Sequence, residues 1–265
     1  MTQIITVTNQ KGGVGKTTTA SALVCGLHQK GARVLGVDID PQGNLGFALG
    51  LNIDDVYTLY DVITGAHTIE ESIVHTESGD ILASDIMLSG FDISLTAQHR
   101  EFLLSRALES VKDQYDFIII DTPPSLNLLT INAYVSSTGL IIPMEAEVLS
   151  LVGISQIRDT IDAVRTSFNP RLQVLGILMN KFDARTRLSK DMLELAEEMA
   201  QQMGTQVFPI RIRRGTDVAR APAYGQSILS YKPKAKPAMD LAEFVDLIAG
   251  PQFREKKPGR RLMRG

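Results

Sequence analysis

Lys11 and Lys16 bracket Gly12, Gly13, Val14 and Gly15, and Thr17 and Thr18 follow at once. Two cations, three glycines and two hydroxyls in that order suit the binding of a polyphosphate. Glycines let backbone N–H groups turn inward without Cβ clashes. Those groups, with the positive end of a following helix, form a concave anion site. Lys16 is placed to reach the β- and γ-phosphates, and the Thr17 hydroxyl to ligate Mg²⁺. The common phosphate-loop pattern G-x-x-x-x-G-K-[ST] would put glycine where this chain has Gln10, and the chain adds a second lysine, Lys11, at the loop's mouth.

Three aspartates extend this chemistry. Asp121 closes the apolar run Phe117–Ile120. An aspartate at such a strand end, beside a phosphate loop, organises magnesium directly or through water. Asp38 and Asp40 follow a second apolar run. Asp38 is read as strand-end structure. Asp40 opens the turn Asp40-Pro41-Gln42-Gly43-Asn44, where it can orient a water towards the γ-phosphate and share in the metal site. Pro41 and Gly43 favour a tight turn able to respond to that phosphate.

These residues need particular elements behind them. Ile4–Thr8 reads as a buried strand, Thr17 to about Lys30 as a helix stopped by Gly31, and Arg33–Asp38 as a second strand. This is a βαβ unit with a right-handed crossover. Leu59–Thr64 and Ile69–Val74 read as short helices, and Asp80–Ser84 as a short strand. Gln98–Lys112 reads as an amphipathic helix, with Phe102, Leu103, Ala107, Leu108 and Val111 inward. Asp116–Asp121 is nearly all apolar, as a central parallel strand covered on both faces must be. Helices are expected at 126–135, 149–167, 189–203 and 237–249, and strands at 139–144, 172–179 and 207–210. The alternation predicts an α/β fold: a single-domain, doubly wound, mainly parallel sheet with helices on both faces over residues 1–250. Ligands of such sheets bind outside the carboxyl ends of the strands.

Composition narrows the function classes. The 265 residues are 44% apolar, enough for a large core. No apolar run approaches a membrane span, and no signal-like segment precedes the first strand, so a cytoplasmic protein is expected. The single Cys25 excludes an internal disulfide or an all-cysteine metal cage. His28, His67, His75 and His99 are scattered without ligand spacing. Net charge is -3. Residues 254–265 hold six Lys/Arg against one Glu, a local +5, which leaves -8 on the rest. Nucleic-acid contact would therefore come from local basic patches rather than the overall field. The tail at 251–265 is expected to be disordered, and either adds non-specific DNA affinity or plays no part.

The segments Lys11–Thr18, Asp38–Asn44 and Ile118–Pro124 together resemble the ParA branch of the ParA/MinD deviant Walker ATPases, a group of P-loop NTPases. The similarity continues through Asn180–Arg187 into Ala221-Pro222, and so covers about residues 1–249. The resemblance implies ATP and Mg²⁺ as cofactors and slow, partner-stimulated ATP hydrolysis. It implies that Lys11 crosses an ATP-dependent homodimer interface to the neighbour's phosphates, with Asp40 as the hydrolytic switch. Asn180 would hydrogen-bond adenine, with the backbone near Pro209 and Ile210 under the base. The family's ATP-bound dimer binds DNA non-specifically and leaves it after hydrolysis stimulated by a ParB-like partner. Plasmid or chromosome partition is the usual role, and some members position carboxysomes or chemotaxis clusters.

For DNA contact, Arg185 matches a family arginine, and Arg211, Arg213, Arg214 and Arg220 cluster after the last strand. One family arginine aligns with Asp217, so the patch is expected to be shifted. Lys232, Lys234 and Lys236 could add phosphate contacts. A MinD-like membrane cycle would need an apolar C-terminal helix face, where this tail has Pro258 and glycines. A nitrogenase-iron-protein-like reductase would need cluster cysteines. A site-specific regulator would need a helix-turn-helix before the first strand.

Overall fold

The computed structural model describes residues 1–90 and 99–254, of which 148–154 and 254 are described in the backbone alone. Eight strands form one sheet: β1 Gln3–Val7, β2 Val34–Asp38, β3 Ile73–Thr76, β4 Gly79–Leu82, β5 Phe117–Asp121, β6 Gly139–Glu145, β7 Gln173–Phe182 and β8 Val207–Arg213. Their order is β3-β4-β2-β5-β1-β6-β7-β8, and every pairing is parallel except β3 with β4. The doubly wound, mainly parallel sheet is thus observed.

Period-two alternation in β5 divides the core. Ile118 and Ile120 pack on one face with Leu129, Ala133 and Tyr134 of the helix Leu128–Ser136 and with Ile157, Ile161 and Val164 of the helix Val148–Ser167. Phe117 and Ile119 pack on the other face with Leu23, Val24 and Leu27 of the helix Lys16–Gln29 and with Leu241, Phe244 and Val245 of the helix Lys236–Ala249. Burial on both faces is why β5 has no polar side before Asp121.

The structure corrects several boundaries. The expected helix over 69–74 stops at Ser72, and β-branched Ile73 and Val74 instead pair antiparallel with Leu82 and Ile81. The helix expected over 98–112 is broken, and its first residue lies outside the described residues. A short 3-10 turn at Arg100–Phe102 precedes an α-helix limited to Leu103–Leu108. Asn132 Oδ1 accepts from the Leu104 amide and Asn132 Nδ2 donates to the Arg100 carbonyl, which diverts both from helix bonding. β7 runs on to Phe182 and β8 to Arg213, so Arg211 and Arg213 lie within the last strand and not after it. Residues 255–265, most of the basic tail, lie outside the described residues, and Pro251–Arg254 forms a short helix.

Candidate active site at the carboxyl edge of the sheet

β1 feeds directly into the glycine loop, and Gly15 caps the helix that follows. Gly15 has φ +91°, and a Cβ there would meet Asn180 Nδ2 at 2.6 Å, so both the backbone conformation and the space require glycine. Asn180 Nδ2 donates to the Val14 carbonyl at 2.8 Å. The loop is also tied from its start. Asn9 Oδ1 accepts from the Lys11 amide at 2.9 Å, and Asn9 Nδ2 donates to the Pro143 carbonyl of β6 at 2.7 Å. Sequence reading passed over Asn9; its signal was a short amide side chain at the strand-to-loop junction.

Lys16 is buried, and its Nζ donates to the Lys11 carbonyl at 3.2 Å. Burial pushes its ammonium down, while Asp121 and Asp40 oppose the shift. Asp121 is fully buried at the end of β5, and neither carboxylate oxygen has a hydrogen-bond partner among the described residues. Burial raises its pKa to about 7, against the Thr17 hydroxyl and the Lys16 ammonium beside it. An unpaired buried carboxylate beside a hydroxyl and a cation is an unfinished coordination shell. It fits a divalent ion of the Mg²⁺ type, which takes one or two protein oxygens and completes its shell with phosphate and water. Among the described residues no group of three or more carboxylate, histidine or cysteine ligands forms a full protein cage.

Asp38 has the structural role expected. Its Oδ1 accepts from the Asp40 amide at 3.0 Å and its Oδ2 from the Leu45 amide at 2.8 Å, so it fixes the turn that presents Asp40. Burial, followed by the Asp121 charge, holds its carboxyl well above the ordinary range. Asp40 is itself buried, and its Oδ1 accepts from the Gln42 amide at 3.1 Å.

A cavity of about 480 Å³ opens beside the loop, lined by Gly13, Gly15, Thr18, Asn180, Lys181, Ile212–Thr216 and Pro222, among others. Asn180 Oδ1 is buried there without a partner, an acceptor suited to an amino group of a bound base. Pro209 and Ile210 do not line this cavity. The extension of β8 moves the lining to Ile212, Arg213, Arg214 and Gly215.

Two ion pairs rim the loop, and sequence reading missed their acidic members. Lys11 Nζ pairs with Glu147. Lys181 Nζ donates to Glu145 Oε1 at 2.5 Å and to the Gly13 carbonyl at 2.8 Å. Lys181 adopts a left-handed backbone, φ +51°, to do so.

The expected DNA residues separate. Phe182 is in register with Arg213, so Arg185 and Arg214 leave the sheet at the same edge, and both are exposed. Arg213 is committed elsewhere. Its backbone N–H donates to Asp240, and its Nε and Nη2 form a forked pair with the same carboxylate, binding β8 to the helix Lys236–Ala249. Arg211 lies over the Phe182 ring, donates to the Pro209 carbonyl and approaches Glu197. Arg185 pairs with Asp183, Lys232 pairs with Asp217, and Arg220 is exposed.

The family described as an AAA domain matches residues 2–174. The sporulation initiation inhibitor protein Soj of Bacillus subtilis is 41% identical over 252 residues, covering 92% of this chain and 98% of that protein. The chromosome partitioning protein ParA of Myxococcus xanthus is 39% identical over 238 residues, 88% of this chain and 83% of that one. A crystal structure of cobyrinic acid a,c-diamide synthase from Mycobacterium smegmatis with bound ADP and magnesium superimposes with a TM-score of 0.82 at 34% identity, covering 97% of this chain and 98% of that one.

Proposed function

The chain belongs to the ParA family of partition ATPases, and on that premise we propose that it is an ATP-gated homodimer that binds DNA without sequence choice and moves or places a cargo. Chromosome or plasmid partition with a ParB-like partner is the form of that role the relatives favour. The observation that carries the reading is the meeting of Lys16, Thr17, Asp40 and the buried Asp121 at the carboxyl edge of the sheet, with Lys11 at the start of the loop.

Each residue has work to do in hydrolysis. Backbone amides of 12–17 and the Lys16 ammonium hold the β- and γ-phosphates. Thr17 and Asp121 would hold Mg²⁺, which would offset charge on the phosphate oxygens. Asp40, fixed through Asp38, orients the attacking water. Asn180 and the Ile212–Gly215 segment take the base. Lys11 serves the nucleotide of a second copy, so nucleotide joins the two chains face to face.

DNA contact falls to Arg185, Arg214 and Arg220, with Lys232, Lys234 and Lys236 as flanking charges, and in its ATP state the protein works on the nucleoid. Phosphate contacts of this kind give steep salt dependence and little sequence preference. Fluorescence anisotropy with ATP and Mg²⁺ tests the reading. Random-sequence and candidate operator duplexes should bind alike, binding should vanish without ATP, and Arg214→Ala should weaken it while the melting temperature holds. A preference of several hundred-fold for one duplex, or full affinity without nucleotide, would overturn it.

A further inference from the structure

The turn Glu145-Ala146-Glu147 places two carboxylates against the two lysines that flank the phosphate loop. The two pairs differ in kind. Glu145 is buried, and Lys181 is doubly held, by Glu145 and by the Gly13 carbonyl. The carboxylates differ in access to water, Glu147 being 52% exposed and Glu145 11%, whereas the Lys181 side chain, at 43%, is more exposed than that of Lys11, at 25%. A pair whose carboxylate is solvated is weak and readily exchanged for a stronger anion, whereas one whose carboxylate is buried and whose lysine has a second acceptor is harder to open.

The backbone of Lys11 is fixed at both ends, its amide on Asn9 Oδ1 and its carbonyl on Lys16 Nζ. Movement of the ammonium is thereby confined to the side chain. The Lys11 ammonium donates to the Glu147 carboxylate. The Lys11 ammonium, with Lys181 and Arg214 farther off, holds the Glu147 carboxyl below its usual range, so it stays charged.

We propose that Glu147 is a positioning residue that parks Lys11 on the chain's own surface, and that the exchange of Glu147 for a partner's phosphates sets the ATP concentration at which two chains close. This rests on the reading of Lys11 as a residue acting across the dimer. Charge explains the order of events. A lysine held by Glu147 presents no net positive charge to an approaching copy, whereas a polyphosphate on that copy offers several negative charges and draws the ammonium away.

The test is the ATP concentration for half-maximal dimer, read by light scattering with a slowly hydrolysed ATP analogue and Mg²⁺. Glu147→Gln, close in shape but uncharged, should lower that concentration at least threefold, and Glu147→Ala should act in the same direction. Lys11→Ala should dimerise poorly, and adding Glu147→Gln to it should change nothing, because the carboxylate acts only through Lys11. An unchanged or raised threshold in both Glu147 variants would overturn the proposal, as would a shift that persists without Lys11. Full dimerisation of Lys11→Ala would remove the across-dimer reading and this proposal with it. That outcome is distinct from poor Lys11→Ala dimerisation with an unmoved Glu147→Gln threshold, which removes the parking role alone.

Discussion

Asp121 shows at the scale of one side chain what this site costs the fold. Its carboxyl sits fully buried without a hydrogen-bond partner among the described residues, and burial lifts its pKa from 3.8 to about 7. The folded chain therefore holds a proton that the unfolded chain has already released. That contribution to stability is fully present below pH 3.8 and is lost as pH rises through about 7. Replacing the carboxylate by an amide should relieve the penalty. Asp121→Asn, without nucleotide or magnesium, should unfold at a higher temperature than the parent at pH 8, with the gain shrinking towards pH 4. The shift from 3.8 to about 7 already includes the opposing pull of Thr17 and Lys16, and it corresponds to a gain of at most ~4 kcal/mol, reduced where the site relaxes or takes up water. Calorimetric scans across that range check it; equal melting curves at pH 8 would show that the carboxylate is not strained. Binding of Mg²⁺ with nucleotide should fail in the same variant, since the stored cost is what the metal removes.

The elements around the site are joined by close backbone contacts that side-chain patterns do not announce. Gly50 ends the segment after the helix Asn44–Ala48, and Gly225 ends the turn Ala221–Tyr224, whose Pro222 lines the cavity beside the loop. A Cβ on Gly225 would lie 2.7 Å from the Gly50 Cα, and the Gly225 φ is +62°. Gly225→Ala should thus cost about 1–3 kcal/mol and push the Asn44–Ala48 helix away from the cavity wall. Denaturant titration gives the first and nucleotide affinity the second; a variant as stable as the parent would mean the two segments do not touch. Contacts of this kind also explain what could be read from the amino-acid order. The strand–glycine loop–helix at Ile4–Lys30, the aspartates at strand ends and the doubly wound sheet all follow from local periodicity and loop chemistry, so they were legible. The break in the helix near Leu104 was not, because its cause is Asn132, a residue 28 positions away. The antiparallel edge strand Ile73–Thr76 was hidden because a capping box on Thr68 and Glu71 starts a helix that the β-branched pair then abandons. Arg213 looked like a DNA contact for the same reason: charge is visible in a sequence, but Asp240, its partner in the fold, is not.

For the whole molecule, topology gathers the site. β1 lies between β5 and β6, so the loop after β1, the Asp121 end of β5 and the Glu145 end of β6 must meet at one edge. The turn after β2 and the ends of β7 and β8 complete the rim. The residues assigned to the phosphates and the metal lie on that edge, and Lys11 stands half-buried at the start of the loop there. The decisive quantity is therefore the mass of the protein in solution with ATP. Light scattering should give the 29.0 kDa of one chain without nucleotide and twice that with ATP and Mg²⁺. Lys11→Ala should stay at the mass of one chain in the same ATP while still binding nucleotide by calorimetry. If Lys11→Ala doubles its mass as fully as the parent does, the loop serves one subunit only and the account of an ATP-gated pair is wrong.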